Sequence, residues 1–246
     1  MSSTVDVLAV GAHPDDVELA CGGTLALLAQ AGRRVAILHL TAGEAGTRGT
    51  AAGRRREAEA AAAALGAVDL AFLDCGDGGL RHGTAEEDAL ATELRRLRPE
   101  LVFGPTPADR HPDHGRAHRL VADACFYAGL ARRGTGEPHR PAAVFSYMQH
   151  DPFPPSFVVA IPAEAWEAKE RALDAYESQL HQPKKATPTA GRSALTKVST
   201  PEFRQMIVGR AQHFGLVVGA AFGEPFWSSL PLAVTDPLTI LPGGPR

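Results

Sequence analysis

The chain has 246 residues, of which 25 are lysine or arginine and 28 are aspartate or glutamate, so its formal net charge is -3. Hydrophobic residues make up 44% and charged residues 22%, which is ordinary globular usage and excludes a chain dominated by disorder. The near-neutral charge argues against a protein that binds the phosphate backbone of nucleic acids, and no apolar run reaches the roughly 20 residues that a membrane span needs.

The cysteines and the first residues of the sequence bear on its location. Cys21, Cys75 and Cys125 are too few and too widely spaced for a disulfide framework or a thiolate zinc site. Residues 1–4 lead straight into an apolar run, without the basic and long apolar regions of a secretory signal. We therefore expect a cytoplasmic protein with no membrane and no nucleic-acid partner.

Strand and helix patterns alternate along the first two thirds of the chain. Short apolar runs predict strands at residues 5–10, 35–40, 70–73, 101–103 and 143–147. Between them, periodic or Ala-rich runs predict helices at residues 23–30, 54–65, 86–98 and 112–130. This alternation predicts βαβ units, and hence an α/β fold: a Rossmann-like open, mostly parallel sheet with helices on both faces. In the usual strand order 3-2-1-4-5, strands one and four are neighbours.

The last third of the chain has a different pattern. It predicts a sixth strand and two further helices at residues 157–161, 163–180 and 201–214. A polar stretch at 181–199 separates the two helices, and loops of that length are usually functional. Because no repeat or linker is visible, we expect a single domain over residues 1–246, in which residues 181–246 supply a substrate loop and a surface for subunit contact.

Two short polar segments directly follow predicted strands one and four. They are Gly-Ala-His-Pro-Asp-Asp-Val-Glu at residues 11–18 and Asp-Arg-His-Pro-Asp-His at residues 109–114. Since open α/β sheets bind ligands at the carboxyl ends of their strands, we expect the two loops to face each other across one crevice. Either segment alone is equally consistent with a helix start, because Asp and Pro are common there. Two such segments, both rich in His and Asp, favour a metal site.

The spacing within these segments suggests a ligand set. His13 and Asp16 are three residues apart, as are His111 and His114, so each pair lies on one face of a first helical turn. Two imidazoles and one carboxylate would form a three-ligand metal site with an open position for water. That ligand count is typical of catalytic zinc.

The remaining polar side chains of the segments suggest acid–base chemistry. Asp15 would remain beside the metal as a general base. His111 and Asp113 would form a pair in which the carboxylate favours the imidazolium, suited to an oxyanion stabiliser or a general acid. No Gly-x-Gly-x-x-Gly follows strand one and no Gly-Lys-Ser/Thr loop is present, which disfavours a nicotinamide dehydrogenase and a phosphate-loop protein.

Residues 12–18 with Gly-Gly-Thr at 22–24, and His-Pro-Asp-His at 111–114, resemble the LmbE-like (PIG-L) family of zinc-dependent N-acetylglucosamine deacetylases. The similarity covers nearly the whole chain. Through Arg54 and residues 175–179 it is most similar to the branch that removes acetate from N-acetylglucosaminyl malate in bacillithiol biosynthesis. The resemblance implies one Zn²⁺ per chain, with other divalent ions compatible, a small amino-sugar substrate, and a homo-oligomer, specifically a hexamer.

The resemblance also implies a role for each residue of the two motifs. It places the metal on three ligands: His13, Asp16 and His114. It makes Asp15 the general base and His111 the stabiliser of the tetrahedral intermediate, with Asp113 behind His111.

Three further residues gain roles from the resemblance. Arg54 and Arg110 would grip the malate carboxylates or the leaving acetate, as guanidinium groups do bidentately. The alternative for Arg54 is a solvated helix face. Glu18 would support the metal site from behind, holding the loop or a ligand, and its alternative is an exposed ion pair of little value.

Other activities remain open at this point. A related enzyme could remove the acetyl group from a mycothiol-type conjugate, a chitooligosaccharide or N-acetylglucosamine, or a bulkier acyl group from a thiol conjugate. A carbohydrate-binding protein without turnover is disfavoured, because mere binding needs neither Asp15 nor His111. His39, in mid-strand, is expected to be a hydrogen-bonded core histidine, and His150 is a candidate for the crevice.

Overall fold

The computed structural model describes residues 4–182 and 195–234. Within them the chain forms, in order, β1 Val7–Gly11, α1 Asp16–Gln30, β2 Val35–His39, α2 Ala51–Leu65, β3 Asp69–Phe72, α3 Thr84–Leu97, β4 Leu101–Gly104, α4 Pro112–Ala128, β5 Ala143–Tyr147, β6 Phe157–Ile161, α5 Ala163–Ala175, α6 Pro201–Val218 and β7 Phe222–Trp227. A short 3-10 helix, Lys197–Ser199, precedes α6.

Part of the prediction for the C-terminal third lies outside the described residues. Residues 183–194 of the expected substrate loop and residues 235–246 of the tail are not among them. Over the ranges that are described, no helix combines the length and the apolarity that crossing a membrane requires.

The strands of the described chain form one sheet in the order β3-β2-β1-β4-β5-β7-β6. The first five are parallel, whereas β7 runs antiparallel to both β5 and β6. The expected order 3-2-1-4-5 is therefore confirmed. β1 pairs with β4 from Val7↔Leu101 to Ala9↔Phe103, so the loops that follow these two strands leave the same edge of the sheet.

Strand β1 shows why helices cover both faces of the sheet. All five of its residues are buried. Val7 and Ala9 belong to an apolar core shared with α1, α2, α5 and α6, whereas Leu8 and Val10 belong to a second core shared with α3 and α4. Because successive side chains point to opposite faces, a strand that is apolar at every position needs cover on both. The predicted architecture is confirmed.

Three helix boundaries differ from the prediction by four residues or more. Helix α1 begins at Asp16 instead of residue 23, because the Gly-Gly pair lies within it and does not start it. Helix α5 ends at Ala175 instead of residue 180, since Tyr176 leaves the helical conformation. Helix α6 continues to Val218, where Gly219 adopts the left-handed φ of 74° that commonly ends helices.

Strand β7 is absent from the sequence prediction. It contains Gly223 and Pro225, and both residue types disfavour the interior of a sheet. Pro225 is tolerated because the pairing with β5 is limited to Ser146↔Trp227 and Tyr147↔Phe226. The proline lies beyond the end of that short ladder.

Helix α1 is broken at Cys21, whose φ and ψ are -130° and 19°. The carboxylate of Glu224, on β7, accepts hydrogen bonds from the backbone N–H groups of Gly23 and Thr24 at 3.0 and 2.7 Å. It also accepts one from the Thr24 hydroxyl at 2.6 Å. Glu224 thus caps the second half of the helix by accepting from the N–H groups at its start, which helix geometry leaves available there.

The first half of α1 is capped by two cations. Lys169 on α5 and Arg210 on α6 donate to the carbonyl of Leu19 at 3.1 and 3.0 Å. The Nζ atom of Lys169 also lies 2.6 Å from the Glu224 carboxylate, and both of these side chains are buried. A buried ion pair from the last third of the chain therefore stabilises the helix that follows β1.

Replacement of Glu224 by Gln is expected to lower the free energy of unfolding by about 3–5 kcal/mol, because Lys169 then keeps a buried charge without a counter-ion. The matched control is Asp69→Asn, which removes one carboxylate from a partly exposed cluster in which Arg96 lies 2.9 Å from Asp69 and 2.6 Å from Glu93. Such pairs contribute about 0–1 kcal/mol. Denaturant unfolding measures both, and equal losses would contradict a dominant role for the buried pair.

Candidate active site

A cavity of about 280 Å³ opens where the loops after β1 and β4 meet. Most of the predicted site residues line it: His13, Asp15, Asp16, Arg54, Arg110, His111 and His114. The other two, Glu18 and Asp113, are buried behind this lining. The two polar segments therefore face each other across one crevice, as the strand order predicts.

Asp15 is the N-cap residue of α1 in an uncommon backbone conformation. Its φ of 99° lies in the left-handed region, which costs a residue other than glycine about 1–3 kcal/mol. Its carboxylate makes no capping hydrogen bond and lies 3.5 Å from Nη2 of Arg54. The side chain is therefore held at the cavity wall instead of being used by the helix.

The environment of Asp15 suits proton transfer near neutral pH. Burial raises the pKa of Asp15 to about 7, with the Arg54 guanidinium lowering it and the Asp16 carboxylate raising it further. A base is most effective when its pKa lies near the working pH.

Asp16 lies between two imidazoles. Its Oδ2 atom is 3.4 Å from Nδ1 of His13, and its Oδ1 atom is 3.4 Å from Nε2 of His114. One ring nitrogen from each of His13, His111 and His114 lies within 4.8 Å of the others. Imidazole nitrogens and a carboxylate gathered at one point fit a divalent metal ion of the zinc type.

The electrostatics of this cluster keep the carboxylate ionised. Burial acts to raise the pKa of Asp16, but His114 and His13 outweigh it and hold the pKa well below its usual range. Burial lowers the pKa of His114, but Asp16 and Asp109 raise it to about 9. A metal ion that enters must displace protons from the imidazoles, so its affinity falls as the pH falls.

The ring of His111 has a defined tautomer. His111 is the N-cap of α4, and its Nδ1 atom accepts the backbone N–H of Asp113 at 3.3 Å. Since an amide only donates, Nδ1 carries no proton and the ring proton is on Nε2. Burial and the charges of His13 and His114 lower the pKa of His111. His111 is a neutral hydrogen-bond donor, which corrects the expectation of an imidazolium.

The Asp113 carboxylate contacts His13 and not His111, so the expected pair is not formed. Its Oδ2 atom lies 3.3 Å from Nε2 of His13. Its two oxygens also accept, at 2.9 and 3.0 Å, the backbone N–H groups of Gly78 and Leu80. Asp113 lies near the histidines, as its position in the sequence predicts. The first turn of α4 nevertheless directs its carboxylate towards His13 and the loop after β3.

Asp77 is a site residue that the sequence analysis missed. Its Oδ1 atom lies 3.1 Å from Nε2 of His13, and its Oδ2 atom accepts the N–H of Ala45 at 2.7 Å. With Asp113 it leaves Nδ1 of His13 facing Asp16, the arrangement usual for histidines that bind metals. Its position after β3, at the same edge of the sheet, is the signal that could have identified it.

The loop after β5 supplies the far side of the cavity. Asp109 lies 3.1 Å from Nδ1 of His114 and accepts the N–H of His150 at 2.9 Å. The ring of His150 stacks on His114, with centroids 5.6 Å apart, and lines the cavity beside Gln149. The candidacy of His150 is confirmed. Asp109 opens the second polar segment but was given no role, and Gln149 was missed although it follows the end of β5.

Glu18 is fully buried, which excludes an exposed ion pair. The hydroxyl of Tyr176 donates to its Oε1 atom at 2.9 Å, and burial raises the pKa of Glu18 to about 8. Nε2 of His39 lies 4.0 Å from the same oxygen. His39 is fully buried, as expected of a core histidine. Its two ring nitrogens make no hydrogen bond of ordinary geometry in the described chain, so only the expected hydrogen bonding differs.

The two arginines are placed differently. Arg54 is buried, which excludes a solvated helix face, and its guanidinium donates to the carbonyls of Pro14 and Gly43. Arg110 is exposed at the rim of the cavity and belongs to no ion pair among residues 4–182 and 195–234. Arg54 therefore braces the loop of Asp15, whereas Arg110 faces the opening.

The chain is similar in sequence to proteins named as sugar deacetylases. A model of the family described as GlcNAc-PI de-N-acetylase (PIG-L) matches residues 8–125. Diacetylchitobiose deacetylase of Thermococcus kodakarensis is 33% identical over 190 residues, 71% of this chain and 70% of that protein. A 1D-myo-inositol 2-acetamido-2-deoxy-alpha-D-glucopyranoside deacetylase of Catenulispora acidiphila is 32% identical over 178 residues, 56% of this chain and 59% of that protein.

Solved structures share the fold over most of its length. The conserved protein TT1542 of Thermus thermophilus is 39% identical, with a TM-score of 0.83 over 94% of this chain and 98% of that one. The 4-carboxy-2-hydroxymuconate hydratase of Pseudomonas putida is 25% identical, with a TM-score of 0.74 over 94% and 98%. Because this architecture occurs in proteins named for different reactions, the fold alone does not determine the reaction.

Substitution of Gly43 by Ala tests the brace on Asp15. Gly43 has a φ of 68°, and a Cβ atom there would overlap the guanidinium of Arg54. The control is Gly32→Ala, where φ is 81° but no atom lies within 4 Å of the added carbon. We expect the control to cost about 1–2 kcal/mol of unfolding free energy.

Gly43→Ala is expected to cost about 2 kcal/mol more than that control, because the displaced guanidinium loses its carbonyl acceptors. Denaturant unfolding measures both variants. Equal losses would show that Arg54 moves aside freely and does not brace the loop.

Proposed function

Because this chain belongs to the PIG-L family, described as GlcNAc-PI de-N-acetylases, we propose that it hydrolyses the N-acetyl group of an N-acetylglucosamine conjugate. The relatives compared above are named as deacetylases of diacetylchitobiose and of an inositol-linked amino sugar. The observation that carries the proposal is the carboxylate of Asp15 held, without a capping bond, beside the His–Asp cluster.

We propose zinc as the metal, one ion per chain, with His13, Asp16 and His114 as its ligands. Other divalent ions are compatible with this donor set. When bound, the ion would polarise the acetyl carbonyl and lower the pKa of the attacking water. Asp113 and Asp77 would support it indirectly, because they hold the ring of His13.

The side chains of the cavity supply the proton transfers. Asp15 accepts a proton from the water molecule while the oxygen of that water bonds to the acetyl carbon. His111 donates a hydrogen bond from Nε2 to the carbonyl oxygen as negative charge develops there. Asp15 then gives the proton to the sugar nitrogen as the C–N bond breaks, which releases acetate and a free 2-amino sugar. One carboxylate therefore acts first as base and then as acid.

For the rest of the substrate we propose malate, so that N-acetylglucosaminyl malate gives glucosaminyl malate and acetate, as in bacillithiol biosynthesis. Arg110 supports this, since an exposed guanidinium at the rim suits a carboxylate. Arg54 was expected to share this role, but its guanidinium already donates to two backbone carbonyls. The names of the relatives favour uncharged conjugates, inositol-linked or chitobiose, as the alternative.

The assembly and location of the protein stay predictions. We propose one domain over residues 1–246, a homo-oligomer, expected to be a hexamer, and a cytoplasmic location without membrane or nucleic-acid partners.

Asp15→Asn is expected to reduce kcat by about 10²–10⁴-fold, the usual contribution of a positioned general base. Asparagine tolerates a positive φ, so the backbone at this position is preserved. The bound metal, measured by elemental analysis, should be unchanged. The control is Asp74→Asn, because the Asp74 side chain is 93% exposed. Full activity of Asp15→Asn would contradict the assignment of the base.

The proposed reaction is tested by acetate release from N-acetylglucosaminyl malate, diacetylchitobiose and N-acetylglucosamine, with zinc-loaded and chelated protein. We expect chelation to abolish turnover, zinc to restore it, and the malate conjugate to have at least a tenfold higher kcat/KM, equivalent to about 1.4 kcal/mol. Zinc-loaded protein that releases no acetate from any of the three would overturn the proposal.

A variant of the rim arginine separates the substrate classes in the same assay. Arg110→Met should raise KM for the malate conjugate about tenfold and leave N-acetylglucosamine unaffected, because only the conjugate carries carboxylates. Arg119→Met, at an exposed position of α4, is the control. Equal effects of Arg110→Met on both substrates would favour the uncharged conjugates.

A further inference from the structure

Gln149 is a buried amide with no role in the chemistry proposed above. It lies in the loop after β5, is 3% exposed, and lines the cavity. Its Nε2 atom donates a hydrogen bond to Oδ1 of Asp16. Since a carboxylate only accepts, this bond determines which end of the amide faces Asp16.

The carboxylate of Asp16 is held by two donors from different loops. Gln149 donates to Oδ1, and the backbone N–H of His13 donates to Oδ2 at 2.8 Å. A carboxylate held at both oxygens has a defined rotation about its last side-chain bond. That rotation decides how its oxygens are presented to an ion that also contacts His13 and His114.

The position of Gln149 is in turn defined by helix α6. Arg210 donates one hydrogen bond to the backbone carbonyl of Gln149 and another, at 3.0 Å, to the carbonyl of Leu19. Leu19 is in the first turn of α1, the helix that begins with Asp16. Arg210 therefore sets the distance between the loop that carries the donor and the helix that carries the acceptor.

The other end of the Gln149 amide is unsatisfied. Its Oε1 atom is enclosed and has no hydrogen-bond partner in the described part of the chain. A buried acceptor without a partner costs free energy, and an unbranched apolar side chain of similar length would avoid that cost. Stability alone therefore does not explain an amide here, and its bond to Asp16 does.

We infer that Gln149 is a positioning residue for Asp16 and that it sets the affinity of the cluster for its metal ion. The inference rests on the proposed metal-dependent function. Residues that orient metal ligands in this way typically change metal affinity by about 10–100-fold when they are removed.

The test uses Gln149→Met, which keeps the length of the side chain and removes the amide. Gln205→Met is the matched control, because Gln205 is exposed on α6. The Kd for Zn²⁺ is measured by competition with a chromogenic chelator, and the Tm is measured on the metal-free protein. We expect Gln149→Met to weaken Zn²⁺ binding about 10–100-fold with an equal or higher Tm, and Gln205→Met to change neither.

Two results would overturn the inference. One leaves the proposed metal centre intact, and the other overturns that centre as well. An unchanged Kd with a lowered Tm would make Gln149 a structural residue and leave the proposed function intact. Wild-type protein that binds no Zn²⁺ would overturn the proposed metal centre itself. If Gln149→Met does not fold, Gln149→Asn withdraws the amide by one methylene and should weaken Zn²⁺ binding in the same way, whereas wild-type affinity in that variant would contradict the inference.

Discussion

Mutual repulsion among carboxylates is the constraint on which this site depends. Five aspartates gather behind or beside one small cavity: Asp15, Asp16, Asp77, Asp109 and Asp113. Cations neutralise them only in part. Backbone N–H groups of the loops after β2, β3, β4 and β5 donate hydrogen bonds to three of these carboxylates, those of Asp77, Asp109 and Asp113. Such donors favour the ionised form of a carboxylate. The loops therefore close around the aspartates so that their amides can reach them, and the cavity is what remains between the loops.

The two ends of the cavity use the start of a helix in opposite ways. At α4, His111 caps the helix through Nδ1, and this bond leaves its proton on Nε2. At α1, Asp15 stands at the cap position but does not cap, and its backbone is strained. One helix start thus fixes a tautomer, while the other gives up a stabilising bond so that a carboxylate stays available. Strain of this kind persists only where neighbours enforce it, and here Arg54 is the neighbour.

The sequence predicted the features that depend on local pattern and on chain connectivity. Apolar strands, short connections and right-handed crossovers place β1 beside β4, which brings His13 and His114 to one edge. What it could not predict depends on orientation across loops. Asp113 lies near His111 in the chain but bonds to His13, because the first turn of α4 aims it there. Asp77 and Gln149 lie in segments with no hydrophobic periodicity. Strand β7 was not predicted because it contains Pro225, a residue type that disfavours strands. Asp77 and Gln149 follow strand ends, and β7 completes the sheet. The local sequence pattern does not distinguish such positions from ordinary loop residues.

The capping of α1 by β7 has a consequence for how the protein is made. Glu224 is separated from Thr24 by 200 positions, so a ribosome releases the helix long before the carboxylate that completes it. Until β7 is in place between β5 and β6, the N–H groups of Gly23 and Thr24 lack the carboxylate that accepts from them in the folded chain. A nascent chain that already displays both polar loops therefore still lacks the carboxylate that caps the second half of α1. Completion of α1 thus depends on a residue that is synthesised 200 positions after the helix it caps.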